Sequence, residues 1–200
     1  MDYNITTMSQ SVGEVIVTNT SEIIGQCHRG VPTFEYGSFI MAGKTAQCVG
    51  VVYNVETASV DPNRRATAIE VDEDNLDKVH PHLKALLRNQ FYALLIGTMK
   101  NGKFQYGLPP TPPGLHAQVV PCSDEDILEL RKQPGFLRII HDSGKSSSEE
   151  LILNCCRHLL YSFERNEKAL SIGKALSDIY RDDYDALRRI INRLESWQNT

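Results

Sequence analysis

Long apolar runs are missing from this chain of 200 residues. No stretch of about 18 consecutive apolar residues occurs, so the sequence predicts no helix that spans a membrane. The first ten residues are polar and do not show the charged and then apolar layout of a signal peptide. These two absences predict a cytoplasmic protein.

Paired cysteines and metal-ligand spacings are missing as well. The chain has five cysteines, an odd number without a CxxC pair: Cys27, Cys48, Cys122, Cys155 and Cys156. Such usage is typical of reduced thiols rather than of a disulfide framework or a zinc site. The acidic cluster from Glu70 to Asp77 lacks the glycine and the terminal glutamate of a calcium loop. We therefore expect no bound metal and no cofactor.

An excess of positive charge is the third absence. The formal net charge is −4; it resides in the first 125 residues, whereas the remainder is neutral. Neither part could neutralise many phosphates, so generic nucleic-acid binding is not expected. A protein partner, or a second copy of this chain, is the better expectation.

The sequence does contain enough apolar residues, 41%, for a buried core in one domain with an appendage or in two small domains. Strand-forming residues bounded by turn residues recur at Gly13 to Ser21, Glu35 to Gly43 and Ala46 to Glu56. Leucines at helical spacing predict a helix over His80 to Asn89. The strand pattern is typical of an antiparallel barrel or sandwich.

Asn101-Gly102 is the clearest turn signal, because both residues tolerate the positive φ that a tight type I′ turn requires. It predicts a hairpin with strands over Gln90 to Met99 and Lys103 to Gly107. The prolines that follow predict an extended, solvent-facing connection to a last strand over Ala117 to Val120.

From Pro121 onward the apolar period becomes helical. Ser123 and Asp126 predict the start of a short helix that ends near Gln133. Apolar residues at steps of three and four predict three further helices: around Leu151 to Phe163, over Lys168 to Tyr180, and over Asp182 to Gln198.

The fold class that follows is α+β. We expect a flexible N-terminus over residues 1–10, a small antiparallel β-barrel domain over residues 11–122, and an α-helical C-terminal domain over residues 123–200. The change of period near Pro121 places the boundary between the two domains.

Gly144-Lys145-Ser146 raises the question of a phosphate-binding loop. Such a loop needs a glycine five positions before Gly144, and that position holds Ile139. Ser146 and Glu149, or Ser147 and Glu150, instead fit a helix capping box. Lys145 is therefore kept only as an alternative nucleotide ligand.

No convergent catalytic set emerges from the remaining residues. Cys27 and His28 could form a nucleophile pair, but adjacent side chains on a strand point to opposite faces. Cys155 and Cys156 predict core packing, with redox sensing as the alternative. We expect a protein that is not an enzyme.

The last helix carries the candidate interaction surface. Its apolar residues form a stripe wide enough to need a partner surface. The candidate interaction residues are Tyr184, Leu187, Ile191, Leu194 and Trp197. Arg188, Arg189 and Arg193 lie off this stripe and predict an exposed face of mixed charge.

Four segments, taken in order, resemble the HAS-barrel, the small β-barrel shared by HerA-type helicases and rotary ATP synthase subunits. They are GEVIVTNTSE, YGSFIMAG, CVGVVYNVE and GLPPTPPGLHAQVVP. The matching residues, within about residues 11 to 122, are Gly13, Val15, Gly37, Phe39, Gly50, Val51, Val52, Pro109, Pro110, Pro113 and Gly114. The chain resembles a stand-alone, cyanobacterial version of this barrel that lacks the ATPase domain.

The resemblance implies a module that packs side by side into a ring, or that docks on another protein. ATP hydrolysis does not carry over, because the chain has no intact phosphate loop. The leading hypothesis is a non-enzymatic interaction or assembly protein. One alternative is a nucleotide-binding or regulatory subunit of an ATPase or helicase assembly that uses Lys145.

A second alternative is a nucleic-acid accessory module, because small barrels can stack single-stranded bases on exposed aromatic rings. Only Lys100 and Lys103 lie close in sequence to the aromatic residues of the barrel, so core packing is the expected use of those rings. The aromatic residues are Tyr36, Phe39, Tyr53, Tyr92, Phe104 and Tyr106.

Overall fold

A computed structural model describes residues 11–44, 47–61, 86–145, 147–160 and 168–198. The N-terminus over residues 1–10, the acidic cluster from Glu70 to Asp77 and most of the helix predicted over His80 to Asn89 lie outside these ranges. Within them, seven strands occur: β1 (Gly13–Thr18), β2 (Glu22–Cys27), β3 (Phe39–Ala42), β4 (Gln47–Ser59), β5 (Leu87–Lys100), β6 (Lys103–Tyr106) and β7 (Gln118–Pro121).

Six of these strands close into a barrel in which every neighbouring pair is antiparallel. The order is β2-β1-β7-β3-β4-β5, and β5 pairs again with β2. Closure pairs the backbone groups that an open sheet would leave at its edges. The α+β class and the β-barrel are therefore confirmed.

β5 is long enough to pair with two different strands along one edge. Its first half pairs with β2, in a register that places Glu22 opposite Leu94. Its second half pairs with β6, in a register that places Gly97 opposite Tyr106. Between Leu94 and Gly97 the edge of β5 changes partner from β2 to β6, and we call this place the β5 fork. β6 continues the sheet outside the closed barrel.

The predicted hairpin is confirmed. Asn101 and Gly102 have φ of 51° and 70°, and they join β5 to β6. The proline-rich connection is only partly solvent-facing, because Pro109 and Pro113 are buried. Rigid rings without amide donors pack on the barrel here without leaving a donor unpaired.

One sequence-based expectation is wrong, and one strand was not predicted. Leu87 to Asn89, predicted as the end of a helix, belong to β5 and pair with Thr57 to Ser59 of β4. Pairing with a neighbouring strand has overridden the helical spacing of the leucines. β2 was not predicted, because its Gly25 and Gln26 weaken the strand pattern.

Five α-helices follow β7 in the described part of the chain. They are α1 (Asp124–Lys132), α2 (Leu137–Asp142), α3 (Ser148–Leu160), α4 (Lys168–Ile179) and α5 (Tyr184–Gln198), with a 3-10 turn at Pro134–Phe136. The helix start predicted at Ser123 and Asp126 is confirmed, since the Ser123 hydroxyl accepts from the Asp126 amide and the Asp126 carboxylate accepts from the Ser123 amide. Ser146, of the capping box predicted with Glu149, lies outside the described residues. α2 was not predicted as a helix, because its short apolar run lacks a long helical period.

The buried residues form two clusters. One fills the barrel interior and includes Ile23, Phe34 and Phe91. The other begins on the outer face of the barrel, with residues such as Phe39 and Ile96, and continues into the helices. The helices therefore form a layer on one side of the barrel and share a core with it. The division into domains over residues 11–122 and 123–200 stays a prediction.

Candidate functional site

Lys145, the alternative nucleotide ligand, lies in the loop between α2 and α3. Its Nζ donates to Glu22 Oε2 at 2.6 Å and to Tyr53 Oη at 3.2 Å. It also lies 4.5 Å from the centroid of the Tyr53 ring. Glu22 begins β2 and Tyr53 lies on β4, so the loop is held against the outside of the barrel.

This ion pair keeps both partners charged near neutral pH. Hydrogen bonds from Lys145 and Tyr53 lower the pKa of Glu22, and the hydrogen bond to Glu22 raises the pKa of Lys145. A phosphate loop would follow a strand, whereas this loop follows helix α2. The contacts of Lys145 with Glu22 and Tyr53 therefore form a tether that links the helical layer to the barrel.

Glu22→Gln is expected to lower the free energy of unfolding at pH 7 by about 0.5–1 kcal/mol, since the pair is partly exposed. Because folding lowers the pKa of Glu22, its stabilisation is present above the ordinary glutamate pKa of about 4.3 and is lost as the pH falls through the folded value. Urea titrations of parent and variant should therefore differ at pH 7, and the difference should shrink as the pH falls below the ordinary glutamate pKa. The same difference at every pH would contradict an ionic role.

A cleft of about 610 Å³ opens beside this tether, at the fork on the β5 edge. Glu22 and the segment Tyr106 to Leu108 line the barrel side, and Arg138 and Ile139 of α2 line the helical side. Clefts of about 300–1,000 Å³ are large enough for small organic ligands. Sequence reasoning missed this site, because it joins segments that are far apart along the chain.

The last helix places its five candidate interaction residues in different surroundings. Tyr184 is 72% exposed and Ile191 is 36% exposed. Leu187 and Leu194 are partly buried against the core that the helices share with the barrel. Trp197 stacks with Arg157 and Arg193, whose guanidinium carbons lie 5.6 and 5.8 Å from its ring centroid.

Two arginines of α5 bind the start of α3, which the sequence did not predict. Arg189 Nη2 donates to Glu149 Oε1 at 3.0 Å, and Arg193 forms a bidentate contact with Glu150. The hydrogen bond from Arg193 lowers the pKa of Glu150. These pairs align α5 with α3 and leave Arg188 on the outward side.

The cysteines are unsuited to thiolate chemistry. Cys155 and Cys156 are both fully buried, and burial raises the pKa of Cys156 to about 12. Cys27 faces the barrel interior, where burial raises the pKa of its thiol, and His28 instead lies 3.3 Å from the Ser11 hydroxyl. The structure does not bring Cys27 and His28 together as a nucleophile pair.

Four of the six aromatic residues considered for base stacking are buried or paired with carboxylates. Phe39 and Phe104 are buried, as expected for core packing. The hydroxyls of Tyr53 and Tyr92 donate to carboxylates, those of Glu22 and Glu56 respectively. Glu56 beside Tyr92 would repel a phosphate backbone, whereas Lys145 balances the charge of Glu22 beside Tyr53.

Two further properties concern only the residues that the structure describes. No group of three or more His, Cys, Asp or Glu side chains is placed to hold a metal ion. No helix in those ranges has the length and apolar character needed to cross a bilayer.

No protein-family model matches the sequence, and no curated protein matches it significantly.

Proposed function

We propose that this protein is a non-enzymatic assembly protein, one subunit of a homo-oligomer joined through the outer face of α5. That face consists of Tyr184, Leu187 and Ile191. The observation that carries the proposal is the exposure of two of its apolar side chains, 72% for Tyr184 and 36% for Ile191. Aromatic and aliphatic residues gathered on a surface are typical of protein contacts.

The charges beside this face favour a second copy of the chain as its occupant. Arg188 and Glu195 are both exposed and lie two helical turns apart on the same side of α5. In an antiparallel contact around a two-fold axis near Ile191, Arg188 of one protomer faces the partner's Glu195, and symmetry repeats the pair. The surface is therefore complementary to itself.

The HAS-barrel resemblance is part of this proposal. The closed, six-stranded antiparallel barrel supports it, because the family barrel is also a small β-barrel. Barrels of that family pack side by side in rings, so the resemblance points to assembly as well. Docking on a larger complex is the other form that the same function could take.

Charge reversal tests the proposed contact. Light scattering coupled to size-exclusion chromatography, at several concentrations, should give a mass above the 22.5 kDa of one chain. Arg188→Glu and Glu195→Arg are each expected to weaken self-association about tenfold or more, because like charges then meet across the axis. The double variant should restore it.

Lys174→Glu, at an exposed position on α4, is the matched control and should leave the mass unchanged. A parent protein that stays a 22.5 kDa monomer at every concentration would contradict self-association. Calorimetry with ATP and magnesium addresses the nucleotide-binding alternative. That alternative requires binding heat that Lys145→Ala abolishes.

A further inference from the structure

The cleft at the β5 fork has an apolar wall that the core does not use. Tyr106 and Leu108 are 55% and 56% exposed where they line it, and Ile139 is partly buried on the opposite side. The Tyr106 ring lies over Gly135, where a Cβ would come within 3.2 Å of the ring. The absence of a side chain at Gly135 therefore lets the ring lie against the 3-10 turn and form the wall.

The charged groups of the cleft differ in whether they already have a partner. Glu22 is paired with Lys145, so these two charges neutralise each other. Asp142 Oδ1 lies 2.8 Å from His141 Nδ1. In the ranges that the structure describes, Arg138 forms no ion pair; its Nη2 donates to the backbone carbonyl of Asp178 at 2.8 Å.

The hydrogen bond to Asp178 positions the Arg138 side chain. It holds the guanidinium to the end of α4 without neutralising its charge, and within the described residues the other N–H groups of the guanidinium make no further hydrogen bond. A planar guanidinium binds carboxylates and phosphates through two parallel hydrogen bonds. Asp142, one turn further along α2, is the acid of the cleft that would oppose an anion.

We propose that this cleft binds a small amphipathic anion, with its carboxylate or phosphate group on Arg138 and its apolar body against Tyr106 and Leu108. The Lys145–Glu22 pair closes one end and contributes no net charge. This site is separate from the outer face of α5, so the proposal goes beyond the assembly function and does not depend on it.

Three probes with the same chain length separate the contributions of charge and apolar body. Octanoate, octyl phosphate and octanol are titrated into the full-length protein, the two anions below their micelle concentrations and octanol below its solubility limit. Backbone amide NMR shifts of Gly107, Gly135 and Ser143 report binding in the cleft. We expect at least one of the two anions to bind about tenfold or more tightly than octanol, and the stronger one identifies the head group.

Matched variants assign the contacts. Arg138→Gln should remove the advantage of the anion over octanol, whereas Arg29→Gln, the same change at an exposed site beyond the far end of β2, should preserve it. Asp142→Asn should strengthen anion binding, because it removes the opposing charge. Leu108→Ser should weaken the binding of the anions and of octanol to the same extent.

The proposal is overturned if neither anion binds more tightly than octanol. It is also overturned if Arg138→Gln and Arg29→Gln reduce anion binding equally, or if the shifts fall outside the cleft. Circular dichroism of each variant must match that of the parent, and Arg138→Lys provides a version that keeps the charge. Anion binding that Arg138→Lys retains only in part would support the bidentate contact.

Discussion

Ile190→Asp is expected to unfold the protein or come close to it, whereas Ile191→Asp should leave its fold intact. Ile190 is 2% exposed and belongs to the core that joins the helices to the barrel. Replacing it removes the burial of an isoleucine side chain and places a carboxylate among apolar groups. Together these effects cost about 4 kcal/mol or more, against a typical total stability of about 5–15 kcal/mol.

Its neighbour Ile191 provides the matched control, with the same residue type and the same substitution. At 36% exposure an aspartate there remains in contact with water, so a change below about 1 kcal/mol is expected. Urea denaturation followed by circular dichroism measures both variants. Because the core is shared, Ile190→Asp should weaken the strand signal together with the helical one.

Equal stabilities for the two variants would contradict this account of α5. An Ile190→Asp protein that loses only helical signal while the barrel keeps its parental stability would show instead that the two parts fold independently. Ile191→Asp also bears on the proposed oligomer, since it should reduce the measured mass to that of the monomer without unfolding the chain.

Gly25→Ala is expected to have the second large effect. Gly25 on β2 lies opposite Phe91 on β5, and a Cβ added there would come within 2.0 Å of the Phe91 ring. Phe91 is fully buried in the barrel interior and makes an edge-to-face contact with Phe34, with ring centroids 4.7 Å apart. The ring has little room to move away, so a loss of about 1–3 kcal/mol or more is expected.

A second-site change and a control make this prediction specific. Phe91→Leu in the Gly25→Ala background should recover part of the loss, because the two positions compete for one space. Gly114→Ala should be close to neutral, since no heavy atom lies within 4 Å of an added Cβ. Thermal unfolding of the four proteins tests both expectations. Similar losses at Gly25 and Gly114 would argue against the steric cause.

The contact between Lys145 and Glu22 could not be predicted from the sequence. Lys145 drew attention through the glycine before it and the serine after it, which suggested phosphate binding. In the folded chain its partner is Glu22, 123 residues earlier. No local pattern could indicate that contact, because it exists only when the α2–α3 loop packs on the barrel.

Features governed by neighbours along the chain could be predicted from the sequence. The Asn101-Gly102 turn depends on the φ preferences of two residues, and the start of α1 depends on hydrogen bonds between Ser123 and Asp126. The helical period after Pro121 likewise reflects the 3.6-residue turn of a single helix. These preferences act within one segment and are therefore visible in its residues.

Features governed by long-range packing could be assigned only from the tertiary structure. In the sequence of α5, Ile190 and Ile191 are adjacent residues of the same type, yet the first is buried and the second exposed. The closure of β2 on β5 and the cleft at the β5 fork likewise join segments that are distant in sequence. Such choices depend on which surfaces meet, because burial and pairing energies arise only between segments that the fold has brought together.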